Sequence, residues 1–180
     1  MEVSGAITPD SMKLVITDSS VFFDIIKIQA LPEFFALDFE ICTTDFVKGE
    51  ILESEQKEQI EMFIRSQKLI VFELTEQEID EVQNLKTTRF FKTLIDKTVL
   101  WKAKQLNCPL LTGDAKLRNE ALEQGVIVHG SLWVIQIIVE QKIISPEVGI
   151  RFLEILKTVN DRLPLDEIEK LIRKLKKLAK

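Results

Sequence analysis

Pro109-Leu110-Leu111-Thr112-Gly113-Asp114-Ala115 is the stretch on which the fold turns. A short run, apolar on both sides of the pleat, stops at Thr-Gly-Asp, and a helical pattern runs from Asp114 to Gln124. Gly125 then offers the residue that most readily ends a helix. The same order stands near the start: Lys13-Leu14-Val15-Ile16-Thr17, then Asp18-Ser19-Ser20, then a helical pattern. Residues 40–43, 69–74 and 126–128 read as three further strands. Runs without polar alternation suit strands covered on both faces, as in a parallel sheet. Between them the spacing predicts helices over residues 46–54, 55–67 and 96–106, and one opened by the capping box Thr75-Glu76-Gln77-Glu78. Strands alternating with helices predict an α/β fold, with about five mostly parallel strands flanked by helices in three layers.

After Gly130 the pattern is helical only. Leu132 to Val139 is apolar nearly all round, Ser145-Pro146-Glu147 opens another helix, and Leu163-Pro164 separates it from a last amphipathic one. The expected organisation is a flexible leader over residues 1–12, a domain over 13–142, and a helical extension over 143–180 packed on the same domain. With 180 residues, 46% apolar and 29% charged, the chain has material for a core and is not a disordered protein. Its 29 acids against 24 bases, a net charge of -5, exclude a general DNA-coating protein. The longest apolar run is too short to span a bilayer, so no membrane partner is expected. No basic segment leading into an apolar one marks a signal peptide. Cys42 and Cys108 lack metal or redox spacing, and reduced thiols in a cytoplasmic protein are expected.

Asp18 and Asp114 each follow a strand. Ligands of open parallel sheets bind beyond the carboxyl ends of strands, where strand order reverses. The two acids converge there if the first and fourth strands are neighbours. Glu50, in the helix after the second strand, and Asp96, opening the helix before the fourth, then face the same crevice. Clustered carboxylates repel one another, and a divalent cation relieves them; oxygen ligands suit Mg²⁺ or Mn²⁺. Such ions activate water and stabilise charge in phosphodiester cleavage. Each acid also has a plain structural reading. Asp18 and Asp114 read as N-caps, Glu50 as a solvated helix residue, and Asp96 as a first-turn acid on the helix dipole.

Taken in order, Thr17-Asp18-Ser19-Ser20-Val21, Thr43-Thr44 with Glu50, Asp96, Leu110-Leu111-Thr112-Gly113-Asp114 and His129-Gly130-Ser131-Leu132-Trp133 resemble a PIN-domain ribonuclease. The similarity extends to VapC-like toxins of toxin–antitoxin pairs and covers roughly residues 13–142. It implies a PIN-like sandwich and a metal-dependent endoribonuclease. Asp18, Glu50, Asp96 and Asp114 would form the catalytic metal site for Mg²⁺ or Mn²⁺, with Ser19 and Thr112 orienting waters or a carboxylate. The family often has small or polar residues around its third acid. Here Leu94-Ile95 precede Asp96 and Lys97 follows, either to pair with Asp96 or to meet a phosphate.

From Val82 to Gly113 the bases are Lys86, Arg89, Lys92, Lys97, Lys102 and Lys104, and the one acid is Asp96. That strip reads as an RNA track, with Lys86, Arg89, Lys92, Lys97, Lys116 and Arg118 as phosphate contacts and Phe90 and Phe91 as stacking surfaces. It reads equally as a solvated helix face with both phenylalanines in the core. His129, the only histidine, is expected in a turn or hydrogen-bonding role. One histidine also leaves a Ser–His–Asp hydrolase unsupported. Two other functions stand beside the nuclease. One is a catalytically weak PIN-like module that binds RNA or protein. The other is a phosphotransfer domain, which lacks its second acid after Asp18. The apolar excess of Leu132 to Val139 and the last helix predict a homodimer or a helical partner. The resemblance likewise implies dimers, and a small antitoxin protein reaching the acidic crevice with an Arg or Lys.

Overall fold

The computed structural model describes residues 14–88 and 93–179. Residues 1–12, expected as a leader, and Arg89, Phe90, Phe91 and Lys92, expected on the RNA track, lie outside the described residues. The chain runs β1 (Leu14–Thr17), α1 (Ser19–Lys27), α2 (Leu31–Phe34), β2 (Glu40–Thr44), α3 (Asp45–Gly49), α4 (Ser54–Arg65) and β3 (Leu69–Phe72). It continues α5 (Glu76–Gln83), α6 (Leu94–Leu106), β4 (Leu110–Leu111), α7 (Ala115–Glu123), β5 (Val128–His129), α8 (Ser131–Glu140), α9 (Pro146–Val159) and α10 (Leu165–Leu178). The strands form one parallel sheet in the order β3-β2-β1-β4-β5, flanked by helices. This is the α/β sandwich the sequence predicts.

The order itself creates a switch point. The chain lays β2 and β3 to one side of β1, then crosses over and lays β4 and β5 to the other. The reversal falls between β1 and β4, where adjacent connections leave in opposite directions and open a crevice. Thr17 stands opposite Leu111 in the β1–β4 register, so Asp18 and Thr112 leave the sheet side by side. Backbone bonds from Asp18 N to Leu111 O (3.1 Å) and from Thr112 N to His129 O (2.9 Å) hold both strand ends in place.

Several boundaries differ from the expected ones, two of them for a packing reason. The predicted helix over residues 46–54 stops at Gly49, because Ile51 turns back into the core at 3% exposure while Leu52 is left 83% exposed. Glu50 is therefore the C-cap of a five-residue helix rather than a residue inside a longer one. β3 ends at Phe72, because Leu74 leaves the sheet for a small separate cluster with Val82 and Trp101. The fifth strand pairs at Val128 and His129, later than residues 126–128, although Ile127 O already accepts from Leu110 N at 2.9 Å. The capping box at Thr75 is present as read, with Glu78 Oε2 accepting from Thr75 N at 2.8 Å.

The helices after Gly130 share one hydrophobic core with the sheet. Leu153, Leu156, Ile168 and Leu175 lie in the same cluster as Val15 and Ile16. Val134, Ile135, Ile137, Ile138 and Val139 are buried within the chain, with α1, α2, α9 and α10 as the neighbours of α8. The apolar excess of α8 is thus largely consumed internally. Gly149 permits the close approach: a Cβ there would stand 2.6 Å from Val139 Cγ2. No described helix is long and apolar enough to cross a membrane. Cys42 and Cys108 are free and buried, and burial pushes their thiols up to about 12 and about 11.

Candidate active site

Asp18 sits at the carboxyl end of β1 with only 5% exposure. Its Oδ1 accepts from Ser20 N (2.9 Å), Ser20 Oγ (2.6 Å) and Val21 N (3.4 Å), so it caps α1. Its Oδ2 accepts from Thr112 Oγ1 at 2.5 Å. A cap alone needs two donors and no burial. Here burial outweighs all four donors and pushes the carboxyl up to about 6. Asp114 stands at the matching end of β4 and caps α7, with Oδ1 accepting from Lys116 N and Leu117 N, both at 2.8 Å. Its own backbone N–H donates to Thr112 Oγ1 at 3.0 Å. Thr112 thus links the two acids, while Ser20 Oγ ties Gly113 N (2.7 Å) to the Asp18 side.

Glu50 reaches the crevice from the other flank. Its Oε2 accepts from Ser19 Oγ at 2.6 Å, which places it beside Asp18 through the next residue. Asp96 enters from the first turn of α6, where it exchanges hydrogen bonds with the N-cap Thr93. Burial raises the Asp96 carboxyl above its ordinary value, and the Thr93 bond opposes this. The negative charges of Asp114 and Glu50 raise it further, and Lys116 lowers it. Asp96, Asp114, Glu50 and Lys116 therefore share one electrostatic neighbourhood.

Among the described residues, no three acids, histidines or cysteines are already gathered as a ready ligand group. Each acid instead rests on a local partner: Ser20 and Thr112, Ser19, Thr93, or the first turn of α7. The donor set still fits a hard divalent ion, since it is all oxygen and two of its members raise a third by repulsion. Mg²⁺ keeps several waters, so it does not require four direct protein ligands.

Among the described residues, Lys102 and Lys104 of the strip have structural partners. Lys102, at 6% exposure, is buried against Phe72 and Trp101 and pairs with Glu78 at 3.0 Å. Its stem and charge hold α5 to α6 and offer nothing to solvent. Lys104 donates to Gln124 at 2.7 Å. Lys97 does not pair with Asp96 among the described residues. Its Nζ lies 3.5 Å from Gln83 O, and its charge acts on Glu120. Among the described residues, Lys116 is a cation whose charge acts on Asp96. Lys86 is exposed, and Arg118 donates to Thr112 O at 2.7 Å. Sequence reasoning assigned no role to Ser20 or Thr93; a hydroxyl two after one acid and another three before the next were the available signals.

Asp18, Glu50, Asp96 and Asp114 thus stand around the switch point of a parallel α/β sheet. The chain belongs to the PIN domain family, whose model matches residues 14–177 and so runs through α9 and α10. PIN domains are typically nucleases, generally use divalent metal ions and bind RNA. No protein with a curated functional description matches the chain. Among solved structures it is similar to a PilT N-terminus domain protein from the hyperthermophilic archaeon Sulfolobus solfataricus P2, at 13% identity and a TM-score of 0.48, over 72% of this chain and 93% of that one. It is also similar to a domain of a functionally unknown protein from Methanocaldococcus jannaschii DSM 2661, at 22% identity and a TM-score of 0.42, over 66% and 90%.

Proposed function

We propose that the chain is a metal-dependent endoribonuclease that hydrolyses RNA phosphodiester bonds at Asp18, Glu50, Asp96 and Asp114. The observation that carries this reading is the gathering of four acids around the β1–β4 switch point: Asp18 and Asp114 at the two strand ends, Glu50 bound to Ser19 beside Asp18, and Asp96 raised by burial and then by the charges of Asp114 and Glu50. An arrangement that raises carboxyls in this way is costly unless a cation is meant to enter. Mg²⁺ or Mn²⁺ held there would activate water and stabilise charge on the phosphate. Ser19 orients Glu50, Thr112 orients Asp18 and the Asp114 backbone, and Thr93 orients Asp96. Lys116, in the same neighbourhood, would meet a phosphate oxygen. A role as a toxin, with a homodimer and a small antitoxin, belongs to the same proposal and is supported by the resemblance alone.

Single-stranded RNA should be cut in Mg²⁺ or Mn²⁺ and spared in excess chelator. Glu50→Gln and Asp96→Asn should each lower the rate by about 10²-fold or more while the chain stays folded. Robust cleavage without a divalent ion would exclude the mechanism, and metal binding with no cleavage of any RNA would favour the binding-module reading. Lys86→Gln combined with Lys116→Gln should flatten the salt dependence of RNA binding by about 1.4, roughly 0.7 for each single-strand phosphate left without its lysine. An unchanged slope would remove both lysines from the RNA path.

A further inference from the structure

Beside the acidic crevice lies a second concavity of about 510 Å³, lined by Gly113, Arg118, His129, Trp133, Arg162 and Glu167 among others. Gly113 precedes the acid Asp114, so this groove begins where the crevice ends. Its far wall is the turn between α9 and α10, which brings Arg162 to face the end of β5 and the start of α8. We infer that this groove binds the nucleotide that flanks the cleaved bond, with Arg162 on its phosphate and the His129–Trp133 pair against its base.

The walls have the chemistry of a single-stranded nucleotide site. His129 and Trp133 stack with ring centroids 4.0 Å apart and planes 9° from parallel, and Phe39 lies beyond Trp133 at 6.1 Å. Burial, with Arg118 adding to it, pushes the imidazole down to about 4, so at neutral pH it is an uncharged aromatic surface. Such surfaces accept any base. Two arginines share the groove with one acid, Glu167, whose Oε1 lies 3.9 Å from Lys170 Nζ. Arg118 is anchored on Thr112 O, while Arg162 is exposed in a turn. The groove is therefore locally positive in an acidic protein, with Arg162 as its free-standing cation among the described residues. The inference rests on the ribonuclease reading for the identity of its ligand.

The test uses the full chain, a short single-stranded RNA of mixed sequence, and Ca²⁺, which fills oxygen sites in place of Mg²⁺. RNA should quench the indole emission of the native chain. Trp133→Phe should remove the quench, because Trp101 is buried in the small cluster behind α6. Arg162→Gln, a surface change, should weaken binding about fivefold at roughly 0.1 M salt and lower the salt slope by about 0.7. Binding by Arg162→Gln equal to the native chain, or a quench that persists without Trp133, overturns the inference. A native chain that binds no RNA also overturns it and leaves the groove to a protein partner. Cleavage in Mg²⁺ is scored separately. Cutting by a chain whose Arg162→Gln variant binds normally sinks the groove and keeps the nuclease. Weakened binding in a chain that cuts nothing keeps the groove and sinks the nuclease.

Discussion

Replacing Asp18 with Asn is expected to raise the melting temperature of the metal-free protein above neutral pH, and to abolish both cleavage and stabilisation by metal. The folded carboxyl titrates at about 6, against an ordinary 3.8. The folded state therefore holds a proton that the unfolded chain has already released between those values. Stability from this group is complete below about pH 4 and is lost as pH rises through about 6, a cost of about 3 kcal/mol when fully developed. Asn has no proton to lose, but its amide meets the Thr112 hydroxyl less well than a carboxylate oxygen does. The net gain at about pH 8 should be roughly 1–2 kcal/mol, or about 4 °C for a chain of this size. Mn²⁺ at about a hundred times its dissociation constant should stabilise the native chain by about 2.7 kcal/mol and the variant hardly at all. RNA cleavage should fall by about 10³-fold. Thermal melts at about pH 5 and about pH 8, with and without Mn²⁺, check the stability effects. A variant that melts below the native chain at high pH shows that burial does not strain Asp18. A retained metal response removes Asp18 from the site.

How much of this was legible in the sequence depended on whether the signal was local. The runs ending in Asp18 and Asp114 were readable because strand, acid and helix stand together in the chain. Their adjacency was not, since the β1–β4 register joins Thr17 to Leu111 across the whole first half of the fold. The capping box at Thr75 was readable for the same local reason, whereas at Thr93 the acid is one carbon shorter and its carboxylate accepts from the Thr93 hydroxyl rather than from the backbone N–H. Lys102 shows the limit from the other side. Counted among the bases it joins a strip, but at four- and three-residue spacing it falls on the α6 face that buries Thr98 and Val99. Its charge is accommodated there by Gln105 on the same helix and by a tertiary partner, Glu78 on α5, which the sequence does not reveal. The flanking groove was out of reach, because Arg162 and Arg118 meet only after α9 folds back over α8.

The fold-back has its own polar fastening, and the largest expected stability loss lies there. Asp24 is 3% exposed on α1, in a core otherwise built from Phe22, Ile25 and their neighbours. Its Oδ2 accepts from Ser131 Oγ at 2.6 Å, at the start of α8, and its Oδ1 accepts from Asn160 Nδ2 at 2.8 Å, at the end of α9. Asn160 Oδ1 in turn accepts from Arg162 N at 3.1 Å. One buried carboxyl thus joins α1, α8 and the turn that forms the groove wall. Asp24→Ala would leave a fully buried Ser131 hydroxyl and the Asn160 amide without their acceptor. Each buried donor left unsatisfied costs roughly 1–3 kcal/mol, so the loss should be about 3–5 kcal/mol and about 10 °C in melting temperature. Asp24→Asn should lose less: it can still accept from Ser131, but Asn160 must turn its amide to meet the new donor and so release Arg162 N. The Asn variant should therefore weaken RNA binding in the groove while staying folded, with metal stabilisation unchanged. Melting of the Ala variant within about 2 °C of the native chain, less than about 1 kcal/mol at this size, would show that apolar packing of α8 and α9 suffices without the fastening.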